Sequence, residues 1–354
     1  MIKYIGSKRT LLPQIGQVVS GLPGVRTVLD VFSGTARVGH SLKARGYHVT
    51  ANDHNAYAAT LAACYVAADR TRVVREVQML LPELQRLRGS AGYFTETFCI
   101  NSRYFQPKNG ERIDAIRAYI DTLGLAQDVR AVVLVSLMEA ADRVDSTCGL
   151  QMAYLKDWAP RAHNDLELRM PDALPGPGVA LQLDALEAVR SGRFDLIYLD
   201  PPYNQHKYLG NYHIWESLVR WDKPEVYGIA CKRVDVRQYK SPYNSPSLIE
   251  PAIDALVKAC DARHLLVSFN NEGFVHRERM EAILGEYGHV RTMEVDFKRY
   301  VGAQIGIYNP SGEKVGKVSH LRNKEFLYLV SQDSCAMDKI VAQFDTPRQG
   351  SLFG

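Results

Sequence analysis

The chain has no Cys-x-x-Cys pair, no histidines paired at metal-ligand spacing, and no apolar run long enough to span a bilayer. Its six cysteines (Cys64, Cys99, Cys148, Cys231, Cys260, Cys335) are scattered over 354 residues. That spacing argues against a structural zinc and for reduced thiols in a cytoplasmic protein, with no bound metal expected. The longest apolar run lies near Ala131 to Met138, far short of the roughly 20 residues of a membrane span. No cationic-then-apolar start with a small-residue cleavage site is present, so no secretory signal is expected. Internal repeats and low-complexity tracts are also missing. The net charge is only +4, mild for a nucleic-acid partner, so its distribution matters more than its total. A hydrophobic content of 46% and a charged content of 23% are ordinary for a globular chain, and the length suits one large domain with an insertion, or two.

The most informative residues are Asp200-Pro201-Pro202-Tyr203-Asn204. They close an apolar run, Phe194 to Leu199, whose length and branched or aromatic content predict a buried strand. Two consecutive prolines fix two φ angles and remove two backbone donors. The edge that remains offers carbonyl acceptors, one carboxylate and a flat ring. These groups suit a planar base bearing an amino group: Asp200 and the Pro201 carbonyl can accept its two N–H bonds, and Tyr203 can stack on the ring. Such an amine is a poor nucleophile because its lone pair is delocalised into the ring. Acceptors that pull on both hydrogens favour a tetrahedral nitrogen, and the stabilisation grows as positive charge develops there.

A second unit precedes it. Val25 to Phe32 is a short apolar run leading into Ser33-Gly34-Thr35-Ala36-Arg37-Val38-Gly39, after which His40 to Arg45 continues at helical spacing. Strand, glycine turn and helix open a doubly wound sheet. A phosphate loop requires Gly-Lys-Ser/Thr, and here Gly39 is followed by His40-Ser41; the dinucleotide fingerprint requires a third glycine. A turn without a full phosphate cradle fits a ligand lacking pyrophosphate, such as S-adenosylmethionine. Asp53 ends the next strand, about 20 residues past the turn, where a ribose-binding acid is expected. At the N-terminus, Lys3-Tyr4-Ile5-Gly6-Ser7-Lys8-Arg9 reads in isolation as a flexible basic start.

Taken in order, these three stretches resemble the Dam-like N(6)-adenine-specific DNA methyltransferases, which carry an N-terminal aromatic-x-Gly-x-Lys segment, a donor-binding first strand-turn-helix, and a catalytic Asp-Pro-Pro-Tyr. Tyr93-Phe94-Thr95 through Asn101-Ser102-Arg103-Tyr104-Phe105, Ile113 to Arg117 and Glu139 to Arg143 are similar to the helical insertion of one branch of that family. Asn211-Tyr212-His213 with Trp215-Glu216, and Ser268 to Gly273, are similar to its later segments. One departure is Ala36, where the family often has a second glycine. The resemblance implies a Rossmann-like, doubly wound, mostly parallel α/β sheet with a helical insertion, S-adenosylmethionine as methyl donor, and double-stranded DNA as partner. It leaves a cognate restriction endonuclease open as a further partner. Carried over by position, Tyr4 and Lys8 line the methionine end of the donor, with Lys8 facing its carboxylate. Phe32, Gly34 and Thr35 form the turn beneath it, Asp30 holds the loop or the amino group, and Asp53 holds the ribose. Asp184 lies near the donor adenine or, on the residues alone, caps a helix. Asp200, Pro201, Pro202 and Tyr203 carry the chemistry. An RNA adenine, a cytosine amine or a catalytically dead DNA-binding protein remain alternatives at this point.

The resemblance divides the chain into a catalytic domain (1–59 and 178–332), a helical insertion for target recognition (60–177) and a tail (333–354). Within the insertion, Asn101, Arg103 and Gln106 cluster in a polar, aromatic-flanked segment where a reading loop is expected. Two later stretches are basic. Lys232, Arg233, Arg237 and Lys240 are opposed by Asp235, and Lys298, Arg299, Lys314, Lys317, Arg322 and Lys324 by Glu313. The second flanks Asn309-Pro310-Ser311-Gly312, a hairpin signal. Both are candidates for phosphate contact, or ordinary solvated surface. Strands are expected at 27–32, 48–52, 179–183, 195–199, 264–269, 290–297 and 326–330. Helices are expected at 38–45, 211–220, 248–260 and 277–286, and in the insertion at 72–87, 113–123 and 126–143.

Overall fold

The computed structural model describes residues 1–298, 307–308, 314–316 and 322–345. Its strands are β1 (Thr27–Asp30), β2 (His48–Asn52), β3 (Val179–Leu181), β4 (Phe194–Leu199), β5 (Val226–Tyr227), β6 (Lys232–Arg233), β7 (Ala262–Asn270), β8 (His289–Lys298), β9 (Ile307–Tyr308), β10 (Lys314–Gly316) and β11 (Arg322–Ser331). Seven of them form one sheet in the order β3-β2-β1-β4-β7-β11-β8. β3, β2, β1, β4 and β7 run parallel, and β11 is antiparallel to both neighbours. This is the expected doubly wound, mostly parallel sheet. Short apolar strands such as β1 and β4 are buried on both faces, which is why they read as near-continuous apolar runs.

Two apolar clusters cover the sheet. On one face, helices Ile249–Ala259 and Arg277–Gly285 pack on Leu29, Ile197, Leu265, Val267 and Val330. On the other, helices Leu12–Gly21, Arg37–Lys43 and Ala56–Ala62 join Val28, Val49, Leu196, Tyr198 and Leu266 in a larger cluster. The insertion helices Arg70–Arg86, Pro107–Thr122 and Gln127–Arg143 belong to that same cluster. Among the described residues no helix is long and apolar enough to cross a membrane.

All seven expected strands of the main sheet are present. Helix Leu12–Gly21 was not expected, and the expected helix 211–220 is broken into Tyr208–Asn211 and His213–Arg220. The break has a tertiary cause. Tyr212 leaves helical geometry (φ −133°, ψ 31°), its ring stacks on Tyr4 at 4.5 Å, and its hydroxyl accepts the Ile5 N–H at 2.6 Å. The N-terminal segment is thereby tied to the sheet's edge.

One buried arginine joins the insertion to the catalytic half. Arg117 donates from Nε to the Leu218 carbonyl (2.8 Å) and from Nη2 to the Val219 carbonyl (3.1 Å). It also pairs with Asp121 at 2.6 Å and lies 5.2 Å from the Trp221 ring centroid. Those carbonyls end helix His213–Arg220 and have no other helical partner. Arg117→Met keeps the apolar stem and strips the donors, leaving two buried acceptors unpaired. Chemical denaturation should show a loss of roughly 2–4 kcal/mol, the scale for removing charged-group hydrogen bonds in the interior; a loss under about 0.5 kcal/mol would contradict the clamp.

Candidate active site

The connections from β1 run one way through β2 and β3 and the other way from β4 to β7, so the strand order reverses between β1 and β4. Ligands of open α/β sheets bind at that reversal, beyond the C-terminal strand ends. An open cleft lies there. It is walled by Tyr4, Gly6 to Lys8, Asp30 to Thr35, Asn52 to Asn55, Asp184, Asp200, Tyr208 and Tyr243.

Its floor is the turn after β1. Ser33 N–H donates to the Asn52 carbonyl at 2.8 Å, and Gly34 N–H donates to Asp53 Oδ2 at 3.0 Å. Asp53 Oδ1 accepts from the Asn55 backbone at 2.9 Å and from its side chain at 3.1 Å. Gly34 has a positive φ of 50°, and a Cβ there would sit 3.3 Å from the Tyr4 ring. Ala36 adopts φ 59°, the left-handed conformation a glycine would hold without strain; its methyl is fully buried. Asn52 ties the strand ends together, donating to the Val31 and Leu183 carbonyls and accepting from Leu183 N–H.

Tyr4 lies between Tyr208 (5.3 Å) and Tyr212 (4.5 Å), both stacked at 14°. Gly6, at φ 72°, carries the chain past this stack, and a Cβ there would meet the Tyr208 hydroxyl at 2.9 Å. The other end of the cleft is aromatic. His54 stacks on Tyr239 at 4.4 Å, and Phe32 packs edge-on against Tyr243 at 5.2 Å. Asp184 does two things there: it caps helix Ala185–Val189 through the Leu186 N–H (2.9 Å), and it lines the cleft. Neither reading of that residue excludes the other.

At the end of β4, Asp200 meets Lys8 at 3.0 Å. Lys8 is buried and pairs with a second carboxylate, Glu325 on β11. Burial alone would drive the Lys8 ammonium toward neutrality, but Asp200 and Glu325 outweigh it and its pKa sits well above the ordinary lysine value. Asp200 is pushed up to about 7 by burial, with Lys8 opposing and Glu325 adding to the rise. Lys8, expected to face a donor carboxylate, lines the cleft with its ammonium between two protein carboxylates, Asp200 and Glu325. Tyr203 packs on Phe269 at 4.7 Å, with Lys8 Nζ 5.4 Å from its ring centroid. The Asn244 side chain donates to the Asn204 (2.6 Å) and His206 (3.1 Å) carbonyls, holding the loop after the motif.

The candidate DNA contacts divide. Arg233 is a correction: it is 1% exposed, with both terminal nitrogens on Asp222 (2.7 and 2.8 Å) and two bonds to Asp235. It braces the β5–β6 hairpin and has no surface to offer a phosphate. Lys232 is half-buried, whereas Arg237 and Lys240 are exposed, Arg237 over the Tyr227 ring at 3.7 Å. Asn101 is exposed; Gln106 is half-buried before helix Pro107–Thr122. Arg103, half-buried, donates to the Lys156 carbonyl (2.8 Å) and lies 4.8 Å from the Trp158 ring centroid. Lys317 and the Asn309–Gly312 turn lie outside the described residues; the backbone of Lys314 is in β10, antiparallel to β9.

Sequence reasoning missed Glu325, Asn244, Tyr208 and the Tyr239/Tyr243 pair. Glu325 was the more legible omission, a lone acid at the head of Phe326-Leu327-Tyr328-Leu329-Val330.

A doubly wound sheet with a ligand cleft at its reversal and Asp-Pro-Pro-Tyr on the β4 edge defines a methyltransferase-type architecture. The chain belongs to the D12 class N6 adenine-specific DNA methyltransferase family, whose sequence profile matches residues 4–283; its reaction is site-specific methylation of adenine in DNA. It is 28% identical to the type II methyltransferase M.NlaIII of Neisseria lactamica, over 92% of this chain and 100% of that one. It is 29% identical to modification methylase StsI of Streptococcus sanguinis, over 86% of this chain and 50% of that one. It is also 29% identical to the type II methyltransferase M.FokI of Planomicrobium okeanokoites, over 83% and 48%. Among solved structures it is similar to magnesium protoporphyrin IX methyltransferase of Synechocystis PCC 6803 (10% identity, 92% and 81% covered, TM-score 0.32), too remote to bear on function.

Asp30 is 1% exposed and lines the cleft. Its Oδ2 accepts from Gly39 N–H at 3.2 Å, while its Oδ1 is buried without a partner. Burial first, then the charges of Asp200 and Asp53, push its carboxyl up to about 8. A carboxyl that holds its proton more tightly when folded contributes stability below the ordinary carboxylate range, and that contribution is lost as pH rises through about 8. Asp30→Asn should therefore raise the melting temperature of the ligand-free protein at pH 9 and change it little at pH 5. Thermal melts at the two pH values check this; a variant destabilised more at pH 9 than at pH 5 would show the charged form to be favoured instead.

Proposed function

We propose that the protein transfers a methyl group from S-adenosylmethionine to the exocyclic nitrogen of an adenine rotated out of duplex DNA, with Asp200-Pro201-Pro202-Tyr203 as the catalytic edge. The observation that carries this reading is that Asp200 opens into the same cleft as Asp30, Asp53 and the His54/Tyr239 aromatic end. The cleft suits that donor. The unpartnered Oδ1 of Asp30 is an acceptor for an ammonium, Asp53 at the β2 end for ribose hydroxyls, and Asp184 with Phe32 and Tyr243 for a purine. Tyr4, Gly34 and Thr35 form the methionine end. Bound there, the donor supplies an electrophilic methyl on a sulfonium.

The chain's own part is to prepare the amine. Asp200 and the Pro201 carbonyl accept the two N–H bonds of the target, which localises its lone pair, and their attraction grows as the nitrogen becomes positive. Pro202 keeps the edge free of competing donors. Tyr203, fixed by Phe269, stacks on the base. The amine lies inside paired DNA, so the nucleotide must leave the stack at a cost of a few kcal/mol.

For DNA, Asn101, Arg103 and Gln106 are assigned to base reading in a recognition domain at 60–177. Lys232, Arg237, Lys240, Lys314 and Lys317 are assigned to phosphate contacts. The names of the relatives, type II methyltransferases and a modification methylase, support a place in restriction–modification beside a cognate endonuclease.

Asp200→Asn turns an acceptor into a donor facing the amine's own hydrogens. Turnover should fall by roughly 100-fold or more with donor affinity, measured by calorimetry, retained. In the wild type the acidic limb of the pH–rate profile should lie near 7, where Asp200 ionises. Near-normal turnover in the Asn variant would refute the assignment. A 2-aminopurine placed at the target should brighten on binding as it leaves the stack. An unchanged signal, with binding indifferent to a mismatch at that position, would count against extrusion.

A further inference from the structure

We propose that Glu325, which lies outside the cleft, is a positioning residue for methyl transfer: it shares the Lys8 ammonium with Asp200 and so keeps the catalytic carboxylate available to the substrate amine. The inference rests on the role assigned to Asp200 above. One ammonium stands between two carboxylates, with Asp200 at 3.0 Å and Glu325 closer still. Lys8 is 7% exposed and Glu325 2%, whereas Asp200, at 17%, faces the cleft, so water has little access to the Lys8–Glu325 pair.

Glu325 is held from several sides. Ser268 Oγ donates to it at 2.7 Å. Its backbone is paired with Asn270 on β7 and Val295 on β8. The preceding residue, Lys324, is gripped by Asn271, which accepts its N–H at 3.0 Å and donates to its carbonyl at 3.1 Å. Lys8, by contrast, comes from the N-terminal segment and reaches the β4 edge from outside the sheet. A fixed carboxylate of this kind decides where a flexible ammonium rests.

Two consequences follow for the reaction. An ammonium given wholly to Asp200 would compete with the target amine for the same oxygen lone pairs; Glu325 draws it aside. With Asp200 ionised, the trio Lys8, Asp200 and Glu325 also sums to one negative charge at the cleft's inner edge, and that surplus favours the positive charge developing on the amine. Removing Glu325 loses both.

The other titratable or polar groups facing Asp200 and Glu325 are Asp30, Tyr198, Tyr203, Tyr208 and Ser268; of these Ser268 bonds Glu325 directly, and Gln or Asp at 325 keeps an acceptor for it. Glu325→Gln removes a negative neighbour that holds the Asp200 proton, so the acidic limb of the rate profile should move to lower pH. The plateau kcat should fall about tenfold, less than the roughly 100-fold of a direct transition-state contact, with KM for donor and DNA nearly unchanged. Glu325→Asp, which keeps the charge one methylene further back, should move the limb in the same direction by less, and serves alone if the Gln variant does not fold.

The measurement is the pH dependence of kcat for DNA methylation by wild type and both variants, alongside melts and donor titrations. A limb that stays at the wild-type position in every folded variant would overturn the proposal, leaving Glu325 a structural residue whose loss shows only in melting temperature. Failure of the underlying reading looks different: the wild type itself would show no adenine methylation, or Asp200→Asn would turn over normally.

Discussion

One buried ammonium connects the parts of this molecule that matter for its chemistry. Lys8 comes from the first residues of the chain, Asp200 from the middle of the sheet and Glu325 from its last strand. Burying three charges is costly unless each is paired and hydrogen-bonded. The fold meets that condition by converging three distant segments on one point, and much of the surrounding structure serves the convergence. The tyrosine stack that holds Tyr4, the Ile5–Tyr212 bond and the broken helix at Tyr212 all bring the N-terminal segment to the β4 edge. Asn271 and Ser268 fix the opposite carboxylate.

The same edge carries a second electrostatic tension. Asp30, buried, and Asp200, half-buried at the cleft, are both carboxyls with raised pKa values, and each acid near them raises the cost of ionising another. Ionising both together would concentrate negative charge in the cleft, opposed there by the Lys8 ammonium. The stability forgone in holding these groups is the usual cost of a prepared site.

Much of this was legible in the sequence, and the reason is locality. The β1 turn and the Asp200 motif are contiguous stretches in which backbone geometry and side-chain chemistry are set within a few residues. The strands of the sheet announced themselves because strands buried on both faces must be apolar. What escaped was non-local. Glu325 acquires its meaning from a lysine 317 positions away. Arg233 looked like surface charge because cations beside it in sequence suggested a patch; in space it is enclosed by Asp222 and Asp235. Helix 211–220 was expected whole because periodicity carries no information about a tyrosine needed elsewhere. Asp184 was ambiguous between cap and ligand wall because it is placed to be both.

The central claim is that this edge directs a methyl group to the exocyclic nitrogen of adenine in duplex DNA. It is tested most directly by incubating the protein with methyl-labelled S-adenosylmethionine and mixed-sequence duplex DNA, then digesting the DNA to nucleosides for mass spectrometry. The account predicts label in N6-methyl-2′-deoxyadenosine alone, confined to one recurring sequence when modified sites are mapped. Label in a methylated cytosine, or efficient transfer to RNA with none to duplex DNA, would contradict it.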